Sequence, residues 1–110
     1  MSADTCITYF GLRYDVGPDE IELLERKRDA RQVAAHRAGL KSYWGKFAGH
    51  EDRHLLFVGA EVATLGPENR LSAKISPEDL ARLLSQTLDG LRSSGLTGEV
   101  ALHFEWQLDS

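Results

Sequence analysis

Glu99-Val100-Ala101-Leu102-His103-Phe104-Glu105-Trp106-Gln107-Leu108 is the stretch on which the fold turns. Val100, Leu102, Phe104, Trp106 and Leu108 alternate with Ala101, His103, Glu105 and Gln107. That is the two-residue period of a strand with one face toward a core and the other away from it. Upstream, Ser76-Pro77-Glu78-Asp79 sets a capping hydroxyl, a proline and two acids in the order that opens a helix. Leu80, Leu83, Leu84, Thr87, Leu88 and Leu91 then hold the helical period as far as Gly95. A helix with one leucine stripe next to a strand with one apolar face reads as a helical layer on a sheet.

The remaining segments extend this two-layer pattern toward the N-terminus. Leu71, Ala73 and Ile75 alternate with Arg70, Ser72, Lys74 and Ser76, which predicts a short edge strand after the turn Leu65-Gly66-Pro67-Glu68-Asn69. Leu40–Ala48 and His54–Val62 predict two strands joined by the hairpin linker Gly49–Arg53. Pro18-Asp19-Glu20 opens a helix carrying Ile21, Leu23 and Leu24, and Asp29-x-x-Gln32 is a second capping pattern closed by Gly39. Two short helices in tandem follow from these two starts. Cys6–Tyr14, rich in aromatic and β-branched residues on both faces, predicts an interior strand.

The expected fold is α+β, a two-layer sandwich with a mostly antiparallel sheet of four to five strands and helices on one face. The order is strand, one or two helices, three strands, helix, strand. One domain spans residues 1–110, with 1–4 and 109–110 as tails. This element order resembles the ferredoxin-like split βαβ arrangement with one strand added. The resemblance rests on order alone and implies no activity. Strand order stays open, since a simple meander of the three middle strands fits the same elements.

Composition narrows the function classes. Thirteen Lys and Arg against 17 Asp and Glu give a net charge of −4, which speaks against a general nucleic-acid or anionic-membrane binder. Cys6 stands alone, so neither an internal disulfide nor a Cys-based zinc site is available. The chain lacks an apolar run of about 20 residues and a basic, hydrophobic start. A cytoplasmic protein without a cofactor is expected.

Alternation also assigns faces. Phe10, Leu12, Leu56, Val58, Ala60, Val62, Val100, Leu102, Phe104 and Trp106 are expected toward the helices. Tyr9, Arg13, Leu55, Phe57, Glu61, His103, Glu105 and Gln107 are expected outward, with either Tyr43 and Phe47 or Trp44 and Lys46 beside them. On that helix-free face His103 and Glu105, two apart, stand about 6–7 Å from each other. They suit a general base and its orienting carboxylate, with Arg13 or Tyr9 to hold a polar substrate. Plain alternation on a solvated face accounts for the same pair. Tyr43 and Trp44, with Phe57, Glu61 and Gln107, are candidate partner-binding residues. Cys6 reads as a small core hydrophobe. Arg26, Lys27, Arg28, Arg31 and Arg37 read as a helix surface balanced by Glu22 and Glu25.

His50-Glu51-Asp52-Arg53-His54 matches the zinc-peptidase pattern H-E-x-x-H in letters. The chemistry needs a helix, where residues four apart lie about 6 Å apart; in a strand the same pair would be about 13 Å apart. Here the motif falls in a hairpin linker, so His50 and His54 are weak metal candidates. The expected function is an interaction module (an adaptor, inhibitor or immunity-type protein) that meets a protein partner or its own copy through the helix-free face. The alternative is a small-molecule binder or enzyme of the dimeric ferredoxin-like type using His103 and Glu105.

Overall fold

The computed structural model describes residues 4–49 and 53–107. Four strands and three helices form an α+β fold: β1 Thr5–Asp15, α1 Ile21–Glu25, α2 Ala30–Arg37, β2 Lys41–Phe47, β3 Arg53–Leu65, α3 Pro77–Ser94 and β4 Ala101–Gln107. A single 3-10 turn, Pro18–Glu20, leads into α1. The expected tails, apart from Asp4, lie outside the described residues. Every neighbouring pair in the sheet is antiparallel and the order is β2-β3-β1-β4. The meander of the three middle segments is not made, because β1, and not the 71–75 segment, occupies the second edge of β3.

The helix starts follow their capping chemistry. Asp29 accepts from the Arg31 N–H at 2.9 Å while Gln32 accepts from the Asp29 N–H at 3.3 Å. The Gln32 amide also donates to the Leu24 carbonyl at 3.1 Å, tying α2 to α1. Ser76 caps α3 through the Asp79 N–H at 3.1 Å, and Gly95 ends it at φ 75°. Leu24, Ala35 and Leu91, one from each helix, pack with Leu12, Leu56 and Val58 of the sheet. All three helices therefore cover the same side.

The expected edge strand at 71–75 is not formed. Arg70 makes one isolated bridge to Leu65, and the segment then runs irregularly to α3 with Leu71 82% exposed. Alternation shows that a segment could be a strand, but a strand exists only where a partner edge accepts its hydrogen bonds. β3 gains what that segment loses. It runs on to Leu65, with an extra residue bulged opposite the Thr8–Tyr9 step.

The face assignment holds while its consequence reverses. Tyr9, Arg13, Leu55, Phe57, Glu61, His103, Glu105 and Gln107 do share the helix-free face by register, and Tyr43 and Phe47 join them. That face is not open. The sheet curls toward it until its two edges meet: the Ala48 N–H, just past β2, donates to the Trp106 carbonyl of β4 at 3.0 Å. Ile7, Tyr9, Phe47, Leu55 and Phe57 form a second buried cluster inside the curl. Gly11 and Gly59 face each other across β1 and β3 at φ 146° and 150°. A Cβ on either would overlap the opposite carbonyl oxygen, Val58 or Phe10, so this close crossing needs glycine on both strands. Conversely Leu102, Phe104 and Trp106, expected in the main core, are 44%, 64% and 56% exposed. The helices pack over β1, β2 and β3, leaving β4 overhanging.

Candidate functional site

The trough inside the curl collects most of the sequence-derived candidates. Its centre is aromatic: Phe57, fully buried, lies 5.4 Å from Tyr9, 5.5 Å from Phe47 and 5.8 Å from His103 between ring centroids. Tyr43 stands edge-on to Phe47 at 6.2 Å. Such tilted and edge-to-face pairs are the favoured arrangements of aromatic quadrupoles. Phe57 therefore builds the trough and offers no surface to a partner.

At one end a carboxylate joins three elements. Glu105 Oε2 accepts from Arg13 Nη1 at 2.6 Å, and Glu105 Oε1 accepts from Arg53 Nη2 at 2.8 Å. The Glu105 side chain is only 11% exposed. Arg53 further donates to the Ala48 carbonyl from Nε at 2.9 Å and from Nη2 at 2.5 Å. This network fastens the sheet edges together, with charge-assisted bonds stronger than neutral ones. It also answers the base–orienter expectation. Both oxygens of Glu105 are taken by arginines, and His103 Nε2 instead contacts the Gly11 carbonyl at 3.2 Å. Arg13 likewise pairs with Glu105.

The other end opens into a cleft of about 730 Å³. Ile7, Tyr9 and Ala60 lie in its walls with Tyr43, Glu61, Thr64 and Gln107. The Tyr43 hydroxyl donates to Gln107 Oε1 at 2.5 Å, a second tie between the edges, and Gly45 leaves room for the Gln107 amide. Thr64 donates to the Glu61 carboxylate. Among the described residues, the Tyr9 hydroxyl is the buried side-chain polar atom with no hydrogen-bond partner. Burial, with the Glu61 charge adding to it, pushes the Tyr9 phenol well above its ordinary range and keeps it protonated.

Other candidates separate from this trough. Trp44 points to the helices and packs against the main core, while Cys6 is half-buried. Arg31 is spent on Asp29 at 2.9 Å, on Glu20 at 2.9 Å and over the Tyr14 ring at 5.1 Å; Arg26 pairs with Glu22. Asp29 is held below the usual carboxylate range, chiefly by its hydrogen bond from Arg31. His54 lies in extended β3 opposite Lys46, so the helical spacing the zinc motif needs is not made at its last residue. His50 and Glu51 lie outside the described residues. No group of three or more His, Cys, Asp or Glu able to hold a metal occurs among the described residues. Arg53, Thr64 and Ile7 were not singled out from sequence. Only the paired glycines, isolated within strand patterns, signalled a close crossing there.

No helix among the described residues is long and apolar enough to cross a membrane. Comparison with protein-family models, with curated proteins and with solved structures finds no match to this chain.

Proposed function

We propose that this chain is a small cytoplasmic interaction module that pairs with a second copy of itself through the helix-side face of β4, on a ferredoxin-like scaffold. The sheet order β2-β3-β1-β4 with its helices on one side supports that scaffold reading. The observation that carries the function is the uncovered strip of Leu102, Phe104 and Trp106. The apolar side chains needed for docking are thus on the side opposite to the one alternation suggested.

Taking an aromatic side chain as about 150–250 Å², the strip exposes roughly 300 Å² of apolar surface. Patches of this size on a small protein are commonly functional. A second copy is the natural cover, because a two-fold axis lays the same strip on itself and leaves none exposed. Strand addition along β4 is limited, since the Trp106 carbonyl already accepts from Ala48, so the mode is face against face. Two strips make roughly 600 Å² of apolar contact, which places the dimer at the small, reversible end of interfaces.

Sedimentation velocity from about 10 μM to about 1 mM tests this, wild type against Phe104→Ser/Trp106→Ser. A concentration-dependent dimer is expected for wild type and a monomer for the variant, with unchanged far-UV circular dichroism. A wild type that stays monomeric throughout, or a variant that still dimerises, refutes self-association by this face.

A further inference from the structure

We infer that the groove between α2 and the free edge of β2 docks an extended acidic segment of a partner protein, at a place separate from the β4 strip. The groove measures about 800 Å³. Val33, His36 and Arg37, on one face of α2, line it with Ser42 and half-buried Trp44 of β2, and Lys27 joins them from the turn between α1 and α2. Lys27 sits at an unusual place. At the end of α1 the Arg28 N–H donates to the Leu23 carbonyl at 2.8 Å and the Lys27 N–H to the Leu24 carbonyl at 3.1 Å. This pattern puts the residue before Arg28 in the left-handed conformation, where glycine is favoured. α2 and α3 end on Gly39 and Gly95, both at φ 75°. α1 instead holds Lys27 there at φ 58°, the non-glycine residue with positive φ among the described residues. A side chain destabilises that conformation. A lysine therefore weakens the stop relative to glycine, and what it adds is an ammonium in the groove wall.

Charge complementarity selects the occupant. Arg13, Arg26, Arg31, Arg53, Arg82 and Arg92 each hold a carboxylate within 3.2 Å. Lys27 and Arg37 hold none among the described residues. With His36 they stand against one acid in the walls, Glu25, in a chain whose net charge is −4. The groove thus reverses the sign of the protein around it. The edge of β2 selects the shape. The His54 carbonyl accepts from the Val16 N–H on the β1 side at 2.9 Å, and Lys46 lies opposite His54. Backbone groups at Lys46 therefore point away from β3, and by alternation so do those of Trp44 and Ser42. Among the described residues, those of Ser42 and Trp44 meet no further strand. An added strand takes these hydrogen bonds and turns every second side chain toward α2. A nucleic acid brings the charge without the backbone amides, so a peptide suits both features.

Nitrogen–proton correlation spectra of the full chain are titrated to about 1 mM with a capped hexapeptide alternating glutamate and valine, and with its lysine–valine counterpart. The expected result is saturable shifts at Val33, Ser42 and Trp44 with the acidic peptide and at least about ten-fold weaker binding of the basic one. Lys27→Gly should bind the acidic peptide at least about five-fold more weakly. That variant restores the favoured stop residue, so its melting temperature should not fall below that of wild type, which separates lost recognition from lost fold. N-methylation of every second peptide amide should weaken binding by a similar factor in one of its two phases, because it blocks the paired edge of the added strand. Absence of saturable shifts, shifts centred elsewhere, equal binding of the basic peptide, undiminished binding by Lys27→Gly, or tolerance of both methylation phases each overturns the assignment. So does an equal response to free glutamate, which would mark a small-anion site, or to a thymidine hexanucleotide, which would mark a nucleic-acid site.

Discussion

Replacing Phe57 by alanine and, separately, Phe104 by alanine sets the inferred curl against simple alternation. Phe57 has no exposed surface and three aromatic neighbours within 5.8 Å. Deleting its ring loses a transfer contribution of about 1.5–3 kcal/mol and leaves a cavity that the paired strands cannot collapse. The sum is about 3–5 kcal/mol, a large share of the roughly 5–15 kcal/mol that stabilises a domain of this size. The melting temperature should fall by about 15–30 °C. Phe104 is already 64% exposed, so only about a third of the same contribution is at stake, under about 1 kcal/mol. Urea denaturation at low micromolar concentration, where self-association adds little, reads both values. Equal slopes in urea would show that the denatured states are comparable. A loss below about 1 kcal/mol for Phe57→Ala, or a Phe104→Ala loss as large as that of Phe57→Ala, would refute the second core.

Gly11→Ala and Gly59→Ala should each cost more than about 3 kcal/mol, because the added carbon meets a backbone carbonyl that cannot move aside. Gly39→Ala, at φ 75° with open space around it, should cost only about 1–2 kcal/mol; a similar loss at all three sites in thermal melts would contradict the close crossing. Asp29 has a lowered folded-state pKa, so its contribution is complete above its ordinary value of 3.8 and is lost as pH falls below it. Arg31→Met should therefore move the acid-unfolding midpoint to higher pH, followed by circular dichroism; an unmoved midpoint would dismiss the pair's role. For Tyr9 the folded-state pKa is raised, so the unfolded chain ionises first and stability declines as pH climbs past 10.0. Tyr9→Phe should flatten that alkaline decline in urea titrations, and an unchanged decline would mean that the phenol is not sealed.

Local chemistry made much of this fold legible. The Ser76-Pro77 start, the Asp29–Gln32 box and the stops at Gly39 and Gly95 act within one turn of chain, so their residues suffice to place α2 and α3. Alternation likewise sorted β1, β3 and β4 residues onto their faces, because side-chain direction is a property of the strand itself. The hidden part was what lies over each face. Whether Phe104 or Phe57 ends up dry depends on how far the helical layer reaches and on how strongly the sheet coils, and both are settled by pairing between distant segments. The stretch 71–75 shows the same limit, having the pattern of a strand and no edge to pair with. At the candidate site, Tyr9, Glu61 and Gln107 were identified through their shared face. The ties from Glu105 to Arg13 and Arg53 cross the curl and leave no periodic trace.

The position of β1 carries a consequence for synthesis on the ribosome. It leaves the exit tunnel before both of its partners, β3 and β4, which follow it in the chain. Thr5 can meet Gln107 only once β4 has emerged. The nascent protein thus holds β1 without a mate until β3 is made, and α1 and α2, translated directly behind it, are the first elements able to shelter it.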